Sequence, residues 1–126
     1  MRNWSEKTIL IAEDDKINFN LISIMLRPTN INVKWAKNGL EAVDCFTGDE
    51  KIDAILMDIQ MPEMDGNEAS IRIREMDKDV PIIVISAYTS TDVKLKAREA
   101  GTNEFLNKPV QANRLLNIIE KYLNRE

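Results

Sequence analysis

The chain has no histidine and one cysteine, and these absences exclude several kinds of chemistry. Without imidazole there is no Ser-His-Asp triad, none of the usual zinc sites and no histidine that acts as a general acid or base. A lone Cys45 builds neither a disulfide framework nor a thiolate metal site, which is typical of a reducing compartment. Chemistry in this chain must therefore use carboxylates, hydroxyl groups and lysine.

Long apolar runs and an excess of basic residues are also missing. No stretch approaches the ~20 apolar residues of a membrane span, and residues 1–6 lack the apolar core of a signal peptide. The net charge is −4, whereas nucleic-acid binding needs clustered Lys and Arg. We therefore expect a soluble, cytoplasmic domain that contacts neither nucleic acid nor membrane.

The length of 126 residues fits one domain with a substantial core and leaves no room for a second. Short apolar runs alternate with amphipathic helical patterns, which indicates βαβ units and a doubly wound, five-stranded parallel sheet of the α/β class. Ile17, Leu21, Ile24 and Met25 recur at helical spacing after the first run, and Pro28 stops that helix. Strands are predicted at 8–12, 33–36, 52–57, 81–85 and 104–107.

Reactive side chains follow four of the predicted strands. Glu13 and Asp14 come after the first strand, and Asp58 closes the third. Ser86 follows the fourth strand and Lys108 the fifth. In open parallel sheets the chemistry lies beyond the carboxyl ends of the strands, so these groups should share one edge.

Three carboxylates at one edge predict a cation site. Like charges that close repel one another unless a cation neutralises them, and a shallow site with oxygen ligands suits Mg²⁺. An alternative is that Glu13, Asp14 and Asp15 merely cap the following helix, where acids are favourable. Asp58, on another strand, favours the metal site.

Ser86 and Lys108 also have ordinary alternatives, a turn hydroxyl and a surface charge. Lys108 precedes Pro109, and a cis peptide bond there would aim the lysine over the carboxylates, although the sequence leaves the isomer open. An acid, a metal site, a hydroxyl and an ammonium group together make an apparatus for phosphoryl transfer.

These motifs resemble the receiver (response regulator) domain of two-component signalling. The resemblance extends from Lys7 to Leu123 and rests on Glu13-Asp14, the segment 55–66 (ILMDIQMPEMDG), Ser86-Ala87 and Lys108-Pro109, in the family's order and spacing. It implies a flavodoxin-like (βα)5 fold with strand order 2-1-3-4-5. We expect residues 7–124 to form the receiver and residues 1–6 to be a linker remnant or N-terminal tail.

The resemblance also implies the role of each site residue. Asp58 accepts a phosphoryl group from the phosphohistidine of a histidine kinase or histidine phosphotransfer domain. Mg²⁺ is held by Asp14, Asp58 and the backbone carbonyl of Gln60, and by Glu13 through a bound water. The domain would catalyse only its own phosphorylation and dephosphorylation.

Other implied roles concern switching and partners. Ser86 hydrogen-bonds the phosphoryl oxygen, Lys108 pairs with it, and Phe105 occupies the aromatic switch position. Gln60 and Tyr88 flank the path of water to Asp58. The expected partner contacts are Ile17, Pro62 and Pro109.

Two residues depart from the family pattern: Asn67 stands where an apolar residue is common, and Phe105 where Tyr is commoner. Trp4 and Ile17-Asn18 favour a receiver at the end of a hybrid sensor kinase, which would make it the cytoplasmic part of a membrane-anchored sensor. A free-standing single-domain regulator is the alternative.

Two other classes use related folds. An aspartyl-phosphate phosphatase usually needs a second acid two residues after the nucleophile, where this chain has Gln60. A flavin-binding domain is disfavoured because the acidic loop after the first strand would repel a phosphate.

Overall fold

The structure is a computed structural model that describes residues 2–48 and 50–124. Within these residues, five strands alternate with five helices and confirm the predicted βαβ pattern. The strands are β1 (Thr8–Ala12), β2 (Asn32–Ala36), β3 (Ala54–Asp58), β4 (Ile82–Ser86) and β5 (Glu104–Asn107). The helices are α1 (Lys16–Leu26), α2 (Gly39–Phe46), α3 (Gly66–Met76), α4 (Thr91–Glu99) and α5 (Ala112–Leu123). A short 3-10 turn, Arg27–Thr29, follows α1.

The strands form one parallel sheet in the order β2-β1-β3-β4-β5, as predicted. Strand β1 lies directly beside β3, and Ala12 pairs with Met57. Glu13 and Asp58 therefore follow paired residues and leave the sheet side by side. Because the two acids start from adjacent strands, their side chains can meet in one site.

Helices cover both faces of the sheet, which explains why the three central strands are nearly continuous apolar runs. All residues of β1, β3 and β4 are buried. In β1, Ile9 and Ile11 pack in the cluster that contains the buried residues of α1 and α5. Leu10 and Ala12 pack on the other face, with α2 and α3. Among the described residues, no helix combines the length and the apolar character needed to cross a membrane.

The spacing of apolar residues predicts α1 correctly but does not mark its buried face. Ile17, Leu21 and Ile24 are 70%, 51% and 54% exposed. The side chains that α1 buries most deeply are Ile22 and Leu26. These exposed side chains are about one turn apart along α1, and Ile17 is in the first turn, just after the acidic residues that follow β1.

The segment before β1 packs against the domain. Trp4 is buried in the core, and its backbone N–H donates to the carbonyl of Thr29 at 2.7 Å. The guanidinium of Arg2 donates to Glu120 on α5 at 3.1 Å. The described residues of the predicted tail are therefore anchored, whereas Met1 lies outside the described residues. A sequence pattern that begins at residue 7 does not show this contact, because Trp4 packs against residues distant in the chain.

Candidate functional site

The loop after β3 folds back tightly against the end of that strand. The backbone N–H of Gly66 donates to the carbonyl of Ile59 at 2.8 Å. A Cβ atom at position 66 would lie 2.2 Å from the carbonyl oxygen of Asp58, so the approach requires glycine. Glu63, in the same loop, has a φ of 67°. The loop thereby holds the backbone of Asp58 at the rim of the sheet.

Lys108 reaches from the end of β5 to the two buried carboxylates. Its Nζ lies 2.9 Å from Oε1 of Glu13 and 3.0 Å from Oδ2 of Asp58. Its backbone N–H donates to the carbonyl of Ser86 at 2.9 Å, which ties it to β4. The Lys108–Pro109 peptide bond, whose isomer the sequence left open, is cis. The predicted meeting of these three side chains is thus present in the structure.

Backbone groups complete the hydrogen bonding of the buried acids. The N–H of Asp15 donates to Oε2 of Glu13 at 3.1 Å. The N–H of Gln60 donates to Oδ1 of Asp58 at 3.1 Å. Asp14 differs, because it is exposed and its carboxylate has no hydrogen bond or ion pair among the described residues.

Burial and crowding shift the ionisation of this cluster. Burial raises the pKa of Glu13 to about 7, and the charge of Asp58 adds to the effect, although Lys108 opposes it. Burial alone would lower the pKa of Lys108. The hydrogen bond to Glu13 and the charge of Asp58 outweigh it and raise that pKa, so Lys108 stays an ammonium group. One lysine thus balances two buried carboxylates incompletely.

The donor set fits a hard divalent cation. One carboxylate oxygen from each of Glu13, Asp14 and Asp58 lies within 4.8 Å of the others. Asp14 and Gln60 line the same shallow depression of about 450 Å³. Exposed acids often cluster without a metal, but Glu13 and Asp58 are 2% and 7% exposed. Two buried carboxylates with oxygen donors around them are the environment in which Mg²⁺ is favoured.

Comparison with known protein families matches residues 9–120 to the response regulator receiver domain. The chain belongs to this family. Hybrid signal transduction histidine kinase B of Dictyostelium discoideum is 37% identical and aligns with 92% of the chain. The chain spans 7% of the length of that kinase. The polar-differentiation response regulator DivK of Brucella anthropi is 29% identical, with 93% of the chain and 96% of DivK aligned.

Solved receiver structures share the fold closely. The receiver domain of a sensor histidine kinase from Pseudomonas aeruginosa has a TM-score of 0.87, 31% identity and coverage of 94% of this chain and 98% of that one. It was crystallised with a magnesium ion coordinated in the active site cleft. The receiver domain of Ssk1 from Saccharomyces cerevisiae was solved in a co-crystal with the histidine phosphotransfer protein Ypd1. It has a TM-score of 0.85 and 34% identity, with coverage of 92% of this chain and 88% of that one.

The residues predicted to switch this receiver domain lie on β4 and β5. Ser86 is buried, and its Oγ accepts a hydrogen bond from the N–H of Tyr88 at 3.0 Å. Its hydroxyl bonds to neither carboxylate among the described residues. Phe105 is half-buried and packs in a cluster with Val84 and Ala97. Tyr88 is 55% exposed beside the site.

The predicted partner contacts are spread over several elements of the receiver domain. Ile17 lies at the start of α1, and Pro62 is exposed in the loop after β3. Pro109 borders an apolar groove of about 340 Å³ between α1 and the segment after β5. Leu21 and Lys108 line the same groove, whereas Pro62 does not. The groove therefore connects the apolar face of α1 to the lysine of the site.

Trp35, on β2, has a position that the sequence analysis did not single out. Its indole Nε1–H donates to the backbone carbonyl of Glu13 at 2.7 Å. Trp35 was predicted only as a strand residue, because an edge-strand tryptophan carries no motif. The sequence does contain one signal for this contact: Trp35 carries an N–H donor near the end of the strand that pairs with β1, beside the acidic loop.

Proposed function

We propose that this receiver domain accepts a phosphoryl group on Asp58 from a phosphohistidine and thereby changes its partner interactions. In the transfer, the N–P bond of the donor breaks and its electron pair stays on the imidazole. A P–O bond forms with a carboxylate oxygen of Asp58. The observation that carries the proposal is the Asp58 carboxylate at the end of β3, with Lys108 Nζ 3.0 Å away and the other acids beside it.

The cation of this proposal is Mg²⁺. Asp14, Asp58 and the carbonyl of Gln60 would hold it, and Glu13 would act through a water molecule. When bound, the ion supplies positive charge that offsets the charge of the incoming phosphoryl oxygens. The oxygen donors of this chain and the magnesium ion in the Pseudomonas receiver support this assignment.

The surrounding side chains would bind the phosphoryl group and change their packing when Asp58 is phosphorylated. Lys108 pairs with the phosphoryl group as a point charge, and the Ser86 hydroxyl turns from Tyr88 to donate to a phosphoryl oxygen. Phe105 would repack in response, without the phenolic hydroxyl of a tyrosine. Gln60 and the exposed Tyr88 would modulate the access of water and hence the lifetime of the phosphorylated state.

The partner in this proposal is a histidine kinase or a histidine phosphotransfer domain. The groove at Pro109 is lined by Lys108 and by Leu21 of α1, and Ile17 is exposed one turn before Leu21 on the same helix. A helical partner on this surface would bring its imidazole in line with Asp58. Pro62 would contact it from the opposite loop. The yeast co-crystal with Ypd1 supports this class of partner.

The chain's relatives include both hybrid kinases and free-standing regulators. We retain the hybrid kinase as the favoured origin. A phosphatase of the aspartyl-phosphate type is disfavoured because Gln60, two residues after Asp58, cannot act as a second acid.

The test is covalent labelling with acetyl phosphate and MgCl₂, read by intact-mass spectrometry. Wild type should gain one phosphoryl mass, and Asp58→Asn should gain none. Asp65→Asn is the matched control, since Asp65 lies beside the site but caps α3, and asparagine caps equally well. It should label like wild type. Labelling of Asp58→Asn to the wild-type extent would place the acceptor elsewhere.

A further inference from the structure

Trp35 ties the edge strand β2 to the acidic loop. The backbone N–H of Glu13 donates to the carbonyl of Ala36 at 2.9 Å, a bond that any sequence could make. The carbonyl of Glu13 accepts from the indole Nε1 of Trp35 at 2.7 Å, a bond that depends on the side chain. That carbonyl belongs to the peptide group joining Glu13 to Asp14. The indole therefore fixes the plane from which Asp14 projects.

Asp14 depends on its backbone more than the other acids of the site do. Glu13 and Asp58 each accept a hydrogen bond from Lys108 and another from a backbone N–H. The carboxylate of Asp14 has no such bond among the described residues, yet it is one of the three that converge within 4.8 Å. Its position before a cation arrives is set by the loop.

The indole ring is itself held in place. Phe19 of α1 stacks on it with ring centroids 4.2 Å apart and an interplanar angle of 8°. The ammonium group of Lys37 lies 5.0 Å from the centroid of the ring. Asp15 caps α1 by accepting a hydrogen bond from the N–H of Ile17. The acidic loop is therefore fixed at Asp15 by the helix cap and at Glu13 by the indole. A packing role alone requires the ring but not its N–H group.

We infer that Trp35 is a positioning residue for the divalent cation site, acting through the Glu13–Asp14 peptide group. The inference rests on the proposed function, since it requires Mg²⁺ to bind at Asp14. A preorganised ligand loses less freedom on binding, so loss of the indole donor weakens the affinity for Mg²⁺. A hydrogen bond of ordinary strength corresponds to roughly a two- to tenfold change in the dissociation constant.

The experiment compares Mg²⁺ binding to wild type, Trp35→Phe and Trp4→Phe, using titration of backbone amide signals with MgCl₂. Trp35→Phe keeps an aromatic ring for Phe19 but removes the N–H donor, and its dissociation constant should rise about two- to tenfold. Trp4→Phe alters the buried tryptophan at the far end of β1 and should bind like wild type. Phe19→Leu removes the stacked ring but keeps the donor, and should have the smaller effect.

A second measurement uses the wild type alone and decides the matter even where Trp35→Phe fails to fold. The indole N–H signal of Trp35 should shift along the same saturation curve as the Asp14 amide, while that of Trp4 stays constant. Unchanged affinity in folded Trp35→Phe, an equal loss in Phe19→Leu, or a stationary Trp35 signal overturns the inference. A wild type that does not bind Mg²⁺ overturns the metal site of the proposed function as well, so the two failures are distinguishable.

Discussion

Three consecutive acids after β1 have three different environments. Glu13 is buried and bonded to Lys108, Asp14 is exposed at the convergence of carboxylates, and Asp15 caps α1. The sequence suggested a choice between a metal site and a helix cap for these residues. The carboxylates of Glu13 and Asp14 converge with that of Asp58, and Asp15 caps the helix, because adjacent residues leave the strand in different directions.

We expect Asp14→Ala to affect Mg²⁺ binding and Asp15→Ala to affect stability. Asp14→Ala removes a proposed ligand and should weaken Mg²⁺ binding tenfold or more, with little change in unfolding temperature. Asp15→Ala removes the acceptor of the Ile17 N–H at 2.8 Å and should cost about 1 kcal/mol of stability, or roughly 4 °C, with nearly normal binding. Amide titrations and thermal unfolding measure the two effects. The reverse pattern would show that Asp15 is the ligand.

At the scale of elements, α1 shows where sequence patterns stop being informative. Its exposed set (Ile17, Leu21, Ile24) and its buried set (Ile22, Leu26) both have helical spacing. A periodicity therefore predicts the helix but cannot rank two apolar faces, since the contacts with the sheet and α5 decide which is buried. The exposed face is where we propose the phosphohistidine partner binds.

Ile17→Asp should slow phosphoryl transfer from a phosphohistidine partner about tenfold, as truncation of an anchoring contact does. Phosphorylation by acetyl phosphate should not change, because Ile17 is 70% exposed and supports neither the fold nor Asp58. Rates of both reactions measure this. Ile71→Asp is the control, since Ile71 is 48% exposed on α3, and it should leave both rates unchanged. Equal slowing of both reactions by Ile17→Asp would assign that residue to the fold.

Strands β4 and β5 should transmit the change at Asp58. Lys108→Ala should still accept phosphate slowly but fail to affect Phe105, because Lys108 is the side chain that joins Asp58 to the end of β5. Beryllofluoride with MgCl₂ mimics the phosphoryl group, and amide spectra report the response. The signals of Phe105 and Leu106 should shift in wild type and not in Lys108→Ala.

Lys121→Ala is the control for this switch. The substitution removes an exposed ammonium group on α5. That group contacts Glu104, which is on the same strand as Phe105, at 3.2 Å, but it does not contact the acidic site. Its spectra should respond to beryllofluoride as wild type does. Wild-type shifts in Lys108→Ala would remove Lys108 from the switch.

The sequence predicted the elements that follow from local pattern and family spacing. The parallel sheet and the meeting of Glu13, Asp58 and Lys108 were accessible because apolar strands end at one edge and place their next residues there. Trp4 and Trp35 were not, since their roles depend on backbone carbonyls and packing distant in sequence. Single tertiary hydrogen bonds leave no periodic signal.

At the scale of the whole molecule, the metal-free site is a local excess of buried negative charge. Burial and Asp58 hold the pKa of Glu13 at about 7, above its ordinary 4.5. The folded state therefore binds this proton more tightly than the unfolded chain does. The stability that protonated Glu13 contributes is complete below pH 4.5 and is lost as the pH rises through about 7.

Glu13→Gln should remove this pH dependence. In EDTA, the variant should gain stability relative to wild type as the pH rises from 5 to 8, because only wild type loses the contribution of the proton. The gain should be roughly 2 kcal/mol in the free energy of unfolding and should appear as a higher relative unfolding temperature. Thermal unfolding at several pH values measures the difference. Excess MgCl₂ should reduce it, because a cation at the site stabilises the ionised carboxylate.

Glu104→Gln is the matched control for this prediction. Burial alone would raise the pKa of Glu104, but hydrogen bonds from Tyr122 and Lys121 outweigh it and lower that pKa. The stability from Glu104 is thus present above the unfolded pKa and lost only as the pH falls below it. Glu104→Gln should therefore differ from wild type by a constant amount between pH 5 and pH 8. A constant difference for Glu13→Gln as well would mean that Glu13 ionises normally in the folded domain, and that Lys108 fully compensates both carboxylates.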